Sequence, residues 1–307
     1  MSGDKIAAEL QGAARTRAAL VLARRRRTPH RPLSRLVIYA LLILAAILML
    51  GPFYWTVATS LKPAGDVFAS PPKWIPNPFT LENYRDVFTL LPFGRYFVNS
   101  VVVTGLIVGL NVVFDTAAAY AFAKLRFPGR DVFFFLLLLT LMVPFQVNLI
   151  PLYRIMVSLH RFNPHLGVDT YSGIVLPGAI QVFGIFLMRQ FLRSIPDEVL
   201  ESARVDGASE FRILRSIVFP VAAPGMATLG IFTFLAAWND FLWPLIVINS
   251  DQLRTMPVGL ALLAQKNTIN WGNTMAGTVL TSAPMILVFL VLQRRFIEGL
   301  TAGSVKG

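Results

Sequence analysis

The chain has 307 residues, of which 55% are hydrophobic and only 14% charged, with a net charge of +12, no cysteine and a mean hydropathy of +0.62. A soluble domain carries roughly 25% charged residues, so the composition points to a polytopic membrane protein and away from a globular enzyme. The lack of cysteine excludes a disulfide framework and a thiolate metal site. The basic excess does not indicate nucleic acid, because it flanks apolar runs and would sit at a membrane surface.

The sequence contains no GxxxxGK[ST] phosphate loop and no GxGxxG fingerprint, so neither ATP hydrolysis nor dinucleotide binding is expected of the chain by itself. His30, His160 and His165 all lie outside apolar runs, which argues against a buried histidine metal centre. No catalytic residue, metal ligand or cofactor is therefore assigned.

Residues 1–35 form a basic tail ending in ARRRRTPHRPLSR. A signal peptide would place its apolar core earlier and follow it with a small-residue cleavage site. Here the first apolar run begins at Leu36 and is long, while Asp4, Glu9 and the scarcity of serine disfavour an organellar transit peptide. The tail reads as a cytoplasmic extension.

Six apolar segments of spanning length follow, near residues 36–60, 96–123, 131–153, 171–193, 218–248 and 275–293. Each meets the requirement of about 20 residues for about 30 Å of hydrocarbon. An all-α membrane domain over 36–298 is predicted, with 299–307 as a second cytoplasmic tail. Pro144 and Pro151 interrupt the third segment, a break that neighbouring helices or water can tolerate. With the N-terminus inside, 20 of the 28 Lys and Arg fall on the inner side, which predicts both termini in the cytoplasm.

The outer loops are then 61–95, with the Pro-rich run SPPKWIPNPFTLENY, 154–170, with RFNPHLGVD, and 249–274. Two readings stay open for them: simple connectors, or an outer cap that meets a delivery partner.

The inner loop Ser194–Pro220 differs from everything around it. Between Asp197 and Arg212 seven residues are carboxylates or arginines, a polar segment held between two long apolar runs. Ser194, Pro196 and Asp197 read as a helix start, with a capping hydroxyl, a proline in the first turn and an acid at the positive end of the dipole. A short helix over 197–205 carries Val199, Leu200 and Ala203 on its less polar side. Glu201 and Arg204, three apart, can share a face. Asp206-Gly207 then breaks the helix, and a second short helix from Ser209 to Ile217 leads to Pro220. The prediction is a compact knob of two small helices.

The loop spacing is Glu-x-Ala-x-x-x-Gly, nine residues, then Ile-x-x-Pro, carried by Glu201, Ala203, Gly207, Ile217 and Pro220. It resembles the EAA loop of ABC importer permeases, with departures at Ser202 and Phe219. SLKP at 60–63, NPFTLENY at 77–84, FVNS at 97–100, YAFAKLRFPGR at 120–130, VPFQVNLIPLY at 143–153, AAWNDFLWPL at 236–245 and GLTAGSVKG at 299–307 extend the likeness over about residues 50–307. They narrow it to carbohydrate-uptake permeases of the maltose and glycerol-3-phosphate type, and within these to the second permease of the heterodimer.

The resemblance implies that the knob is a coupling helix docking on an ATP-binding subunit through Glu201, Ser202, Ala203, Asp206, Gly207 and Ala208. It implies as partners a second permease, two ATP-binding subunits that carry ATP and Mg, an extracytoplasmic sugar-binding protein and membrane lipid, with no nucleic acid. The expected location is the plasma (inner) membrane of a prokaryote.

Ionisable and amide groups at membrane depth are costly and mark substrate paths. Asp115, Gln146, Asn148, Gln181, Asn239 and Asp240 are the polar candidates, with Trp238 or Trp243 as a face for a sugar ring. The competing reading is that these groups bond helix to helix. Asn239 and Asp240 are adjacent and point about 100° apart on a helix, so at most one should face a central cavity. The alternatives are an ion-coupled secondary carrier for a small polar solute, which would show internal repeats, and a membrane enzyme, for which no constellation of His, Ser or paired carboxylates is found.

Overall fold

A computed structural model describes residues 32–266 and 270–302, with side chains for 36–265 and 270–293. The described residues are helical or irregular, with no strand among them. The first 31 residues and 303–307 lie outside them, so all but the last four residues of the basic tail, and the end of the GLTAGSVKG segment, receive no structural account.

Two units are described separately, 1–55 and 56–307. The first holds most of α1 (Pro32–Ser60), whose residues 36–54 are exposed along their whole length. Such a helix, apolar on every side, suits hydrocarbon rather than water.

The second unit contains α2 (Glu82–Leu90), α3 (Phe93–Lys124), α4 (Arg130–Leu139), α5 (Phe145–Phe162), α6 (Tyr171–Val175) and α7 (Val182–Arg193). It continues with α8 (Glu198–Val205), α9 (Glu210–Trp238), α10 (Leu242–Val247), α11 (Met256–Lys266) and α12 (Trp271–Ala302). Helices α1, α3, α9 and α12 are each long and apolar enough to cross a membrane.

The remaining two apolar segments are broken. Near 131–153 the sequence reading drew one span; the chain instead turns through 101° between Met142 and Phe145, where Pro144 enters α5. Near 171–193 it bends by 44° between Gly178 and Val182. The fifth segment also shifts: α9 starts at Glu210 and ends at Trp238, and α10 is a separate short helix after an irregular turn. Pro220 does not stop α9. It lacks an N–H and crowds the turn behind it, and over Leu214–Val218 the helix widens to a π turn and runs on.

Helix α3 is the mast of the second unit, lending residues to three packed cores. Ala119 and Tyr120 join Ile185, Met188, Leu192, Leu200, Ile213 and Leu229 at the knob end. Val103 and Ile107 pack with Met156, Ile174, Val175, Trp243 and Val247. Phe93 and Tyr96 pack with Val87, Trp238, Met256, Leu263 and Ala276. Lipid tails are as apolar as these side chains, so close van der Waals fit and interhelical hydrogen bonds hold such contacts.

At the end of α3 away from the knob most of the bonds are side chain to backbone. Asn99 Nδ2 donates to the carbonyls of Gln252 (2.8 Å) and Arg254 (2.9 Å), and its Oδ1 accepts from the Tyr171 hydroxyl (2.7 Å). Asn83 Nδ2 donates to the carbonyls of Ser60 (2.9 Å) and Lys62 (2.7 Å). Asp169 accepts the N–H groups of Asn249 (3.0 Å) and Ser250 (2.9 Å) and so ties the 163–170 loop to the 247–250 loop. Burial pushes its carboxyl up, but the Ser250 and Asn249 donors outweigh that and hold it below the usual carboxylate range. The loops are thus joined to one another and to α3.

Candidate functional site

Two places combine polar chemistry with exposure or space: the knob and a cavity between helix breaks.

The knob is a helix, a glycine turn and the start of the next helix. Gly207 has φ of +80°. Its N–H donates to the Arg204 carbonyl (3.0 Å), and the Ala208 N–H reaches back to Ala203 (3.0 Å), the paired bonds of a Schellman C-cap. The Ser209 hydroxyl caps the next helix by accepting the Arg212 N–H (3.4 Å). Leu200 and Ile213 are buried in the core at the knob end. The opposite side leaves Glu201, Ser202, Val205, Asp206 and Gly207 exposed, while Ala203 and Ala208 are half-buried against the core. Of the six residues expected to meet a partner, four therefore face outward and the two alanines brace them from beneath.

One local expectation is corrected, and one pairing goes beyond the sequence reading. The Ser194 hydroxyl does not cap α8; it donates to the Phe191 carbonyl (2.7 Å) at the end of α7, and the N-cap position of α8 falls at Asp197. Arg204 does not pair with Glu201. Its Nε reaches Glu210 Oε1 (2.7 Å) across the glycine turn, because that turn brings the following helix within reach.

Two polar links fasten the knob to the end of α3. Lys124 Nζ donates to the Ile195 carbonyl (2.6 Å) and to Asp197 (2.5 Å). The Tyr120 hydroxyl donates to Glu210 Oε2 (2.5 Å), which also takes Arg204. The hydrogen bond and charge of Lys124 hold the Asp197 carboxyl below its ordinary range, and Glu210 raises Arg204. These bonds tie both helices of the knob to the last turns of α3.

The cavity, about 570 Å³, opens where three discontinuities meet. Its walls come from the α4–α5 bend (Thr140, Leu141, Val143, Phe145, Asn148), the α6–α7 break (Pro177, Gly178, Gln181, Val182) and the end of α9 with α10 (Ala236, Asp240, Trp243). Irregular backbone at membrane depth is tolerated where it is buried in protein or lines a water-filled space. Phe145 meets Trp243 edge-on with centroids 6.2 Å apart, and Trp243 Nε1 is fixed by the Gly173 carbonyl (2.9 Å). Asn148, Gln181 and Asp240 supply amide and carboxyl groups among these aromatic faces.

The other candidates are placed elsewhere. Trp238 is buried, stacks on Phe234 at 5.7 Å and donates from Nε1 to the Thr281 carbonyl (3.0 Å). Asn239 is exposed and directs its amide to the Leu235 carbonyl (2.8 Å) and Met285 Sδ (2.9 Å), so of the adjacent pair only Asp240 meets the cavity. Gln146 is exposed and does not line it. Asp115 is fully buried behind it and accepts the Gln181 N–H (3.0 Å). Phe145 and Phe183 escaped the sequence reading; no pattern separates a cavity-lining phenylalanine from the 24 in this chain.

Against known proteins, residues 115–301 match the family described as binding-protein-dependent transport system inner membrane component. The matched stretch holds the knob, the breaks and most of the cavity wall. The chain belongs to this family.

Related permeases are similar over nearly their whole length. The chain is 35% identical over 265 residues to the arabinooligosaccharides transport system permease protein AraQ of Halalkalibacterium halodurans, covering 85% of this chain and 93% of that one. It is 34% identical to the diacetylchitobiose uptake system permease protein DasC of Streptomyces coelicolor, covering 86% and 96%. It is 33% identical to the sn-glycerol-3-phosphate transport system permease protein UgpE of Escherichia coli (strain UTI89 / UPEC), covering 88% and 97%. In fold it resembles a chain of a bacterial ABC transporter involved in the import of the acidic polysaccharide alginate, with a TM-score of 0.76 at 24% identity, covering 88% and 99%. This permease is thus a multi-pass membrane component of an ABC importer that works with other subunits.

Proposed function

We propose that this permease carries a sugar or sugar derivative inward as one half of a permease heterodimer, with ATP bound and hydrolysed on two partner subunits and cargo supplied by an extracytoplasmic binding protein. The observation that carries the reading is the knob: an outward face of Glu201, Ser202, Val205 and Asp206, clasped to α3 through Lys124, Tyr120 and Glu210. Such a face suits docking on a soluble ATP-binding subunit, whose closure would move α3. Binding of ATP and of the loaded binding protein would then bias one two-state element from two sides. An ion-coupled carrier has no use for such a face. In this reading the knob and both termini are cytoplasmic, in the inner membrane of a prokaryote, and the chain itself catalyses no reaction.

The cavity supports the sugar reading. Amide and carboxyl groups on Asn148, Gln181 and Asp240 suit sugar hydroxyls, and Trp243, Phe145 and Phe183 offer apolar faces to a ring. Its volume of about 570 Å³ lies within the usual span of about 300–1,000 Å³ for small-molecule sites. The relatives' names supply the first probes to try: an arabinooligosaccharide, diacetylchitobiose and sn-glycerol 3-phosphate.

The test is reconstitution of the complete importer in liposomes with those three probes and ATP inside. Glu201→Lys is expected to abolish ATP-driven uptake, and unchanged uptake and assembly would refute the coupling role. Asp240→Asn and Gln181→Ala are expected to raise the half-saturating concentration of whichever probe is carried; identical kinetics would remove the cavity from the path.

A further inference from the structure

The break between α6 and α7 frees two backbone groups at membrane depth, and one turn of α3 meets both. Asn111 Nδ2 donates to the Gly178 carbonyl (2.5 Å), and Asp115 Oδ1 accepts the Gln181 N–H (3.0 Å). Asn111 and Asp115 are four residues apart, hence on one face of α3, and both are fully buried. The two bonds span the 178–181 gap from its carbonyl side to its amide side. Gly184, in the first turn of α7, lets this approach happen: a Cβ there would collide with Asp115 Oδ2.

The residues so held are cavity walls. Pro177, Gly178 and Gln181 all line it, and Gln181 sits in extended backbone (φ −126°, ψ 130°) as the N-cap residue of α7, its side chain making no cap bond. An uninterrupted helix over 171–193 would satisfy the same carbonyl and amide internally and would turn Gln181 with it. The unwound form therefore depends on outside partners for these groups, and α3 provides them.

We propose that Asn111 and Asp115 are positioning residues that hold the fourth span open and aim Gln181 into the cavity; this rests on reading the cavity as the substrate path. Asp115 acts as a hydrogen-bond acceptor and not as a charge. No ion pair to it is found among the described residues, and its one bonded partner is a backbone N–H.

The absence of cysteine from the chain makes the test direct. Gln181→Cys and, on the facing wall, Asn148→Cys are introduced singly into the full-length permease. Their rates of reaction with a membrane-impermeant trimethylammonium methanethiosulfonate are then followed in membranes. Both are expected to react. Adding Asp115→Leu should slow Gln181→Cys by about tenfold, the shift expected when one buried hydrogen bond is lost and its partner left unpaired. Asn148→Cys should keep its rate. Asp115→Asn, whose side-chain oxygen can accept the same N–H, should restore the Gln181→Cys rate. If Asp115→Leu does not accumulate, Asn111→Ser, too short to reach the Gly178 carbonyl, takes its place with the same expectation. An unchanged Gln181→Cys rate overturns the clasp, as does an Asp115→Asn variant as slow as Asp115→Leu. If neither cysteine reacts in the otherwise unaltered chain, the cavity reading itself fails, and the clasp falls with it.

Discussion

The knob and the cavity are built in opposite ways. Every bond that shapes the knob's turn closes within a few residues: Gly207 to Arg204, Ala208 to Ala203, Arg212 to Ser209, Arg204 to Glu210. The bonds that shape the cavity join distant stretches: Asn111 to Gly178, Gln181 to Asp115 and Trp243 to Gly173. A face proposed to meet another protein can be made from local rules and left to project. A space inside the membrane needs interrupted helices, and an interrupted helix in lipid needs partners from elsewhere in the chain. The knob should therefore tolerate changes in the cavity, and each should break by its own mechanism.

The largest effect expected in the knob is from Gly207→Pro. Proline fixes φ near −65° where the turn requires +80°, and removes the N–H that closes it, at a local cost of about 3 kcal/mol or more. ATP-driven uptake in the reconstituted importer should be lost while thiol labelling at Asn148→Cys persists. Retained uptake would show that the turn is not needed for coupling. Gly207→Ala separates conformation from contact, because a Cβ there meets nothing within 4 Å. Its cost, roughly 1–2 kcal/mol, would come from the backbone alone.

Gly184→Ala is the corresponding change at the cavity. Its Cβ would collide with Asp115 Oδ2 and fall 3.0 Å from Leu229 Cδ1, so something must shift. Overpacking of this kind costs about 1–3 kcal/mol, to be read as a lower thermal unfolding midpoint in detergent. A midpoint equal to that of the unaltered chain would show that α7 can move off α3, against the clasp. Trp243→Phe should have a smaller effect of about 1 kcal/mol, since it keeps an aromatic wall but loses the bond to Gly173.

How far the sequence revealed each region follows the same division. The helix–glycine–helix course of 197–217 could be read from neighbouring residues, because Gly207, Ser209 and the alternation of Leu200 and Ala203 with Glu201 and Ser202 act over one or two turns. What that spacing left open was the partner of Arg204, since the turn brings Glu210, six residues ahead, to 2.7 Å from its Nε. At the cavity, residue type identified polar groups at membrane depth without saying which way they face. Asn148, Gln181 and Asp240 line the space, whereas Asp115 and Trp238 serve other helices. The breaks that decide this outcome arise at Pro144 and around Gly178. Hydropathy sees only continuous apolar character across both.

The smallest expected effect is a pH dependence in the link between the knob and α3. The Lys124 hydrogen bond and charge depress the Asp197 carboxyl below its ordinary value of 3.8, with Arg126 and Arg204 adding to the effect. A depressed carboxyl contributes stability that is fully present above the unfolded value and lost as pH falls through the folded one. The contribution should therefore be constant from neutrality down to about pH 4–5 and disappear below that. Asp197 is 70% exposed, so solvent and salt screen the pair and the increment is small. Lys124 also keeps its bond to the Ile195 carbonyl when Asp197 is protonated, which limits the loss further. Thermal unfolding of the full-length permease and of Asp197→Asn should differ slightly at pH 7 in low salt, and the two should converge in high salt or at the acid end. A difference that persists at the acid end would mean that Asp197 holds the knob by something other than its charge.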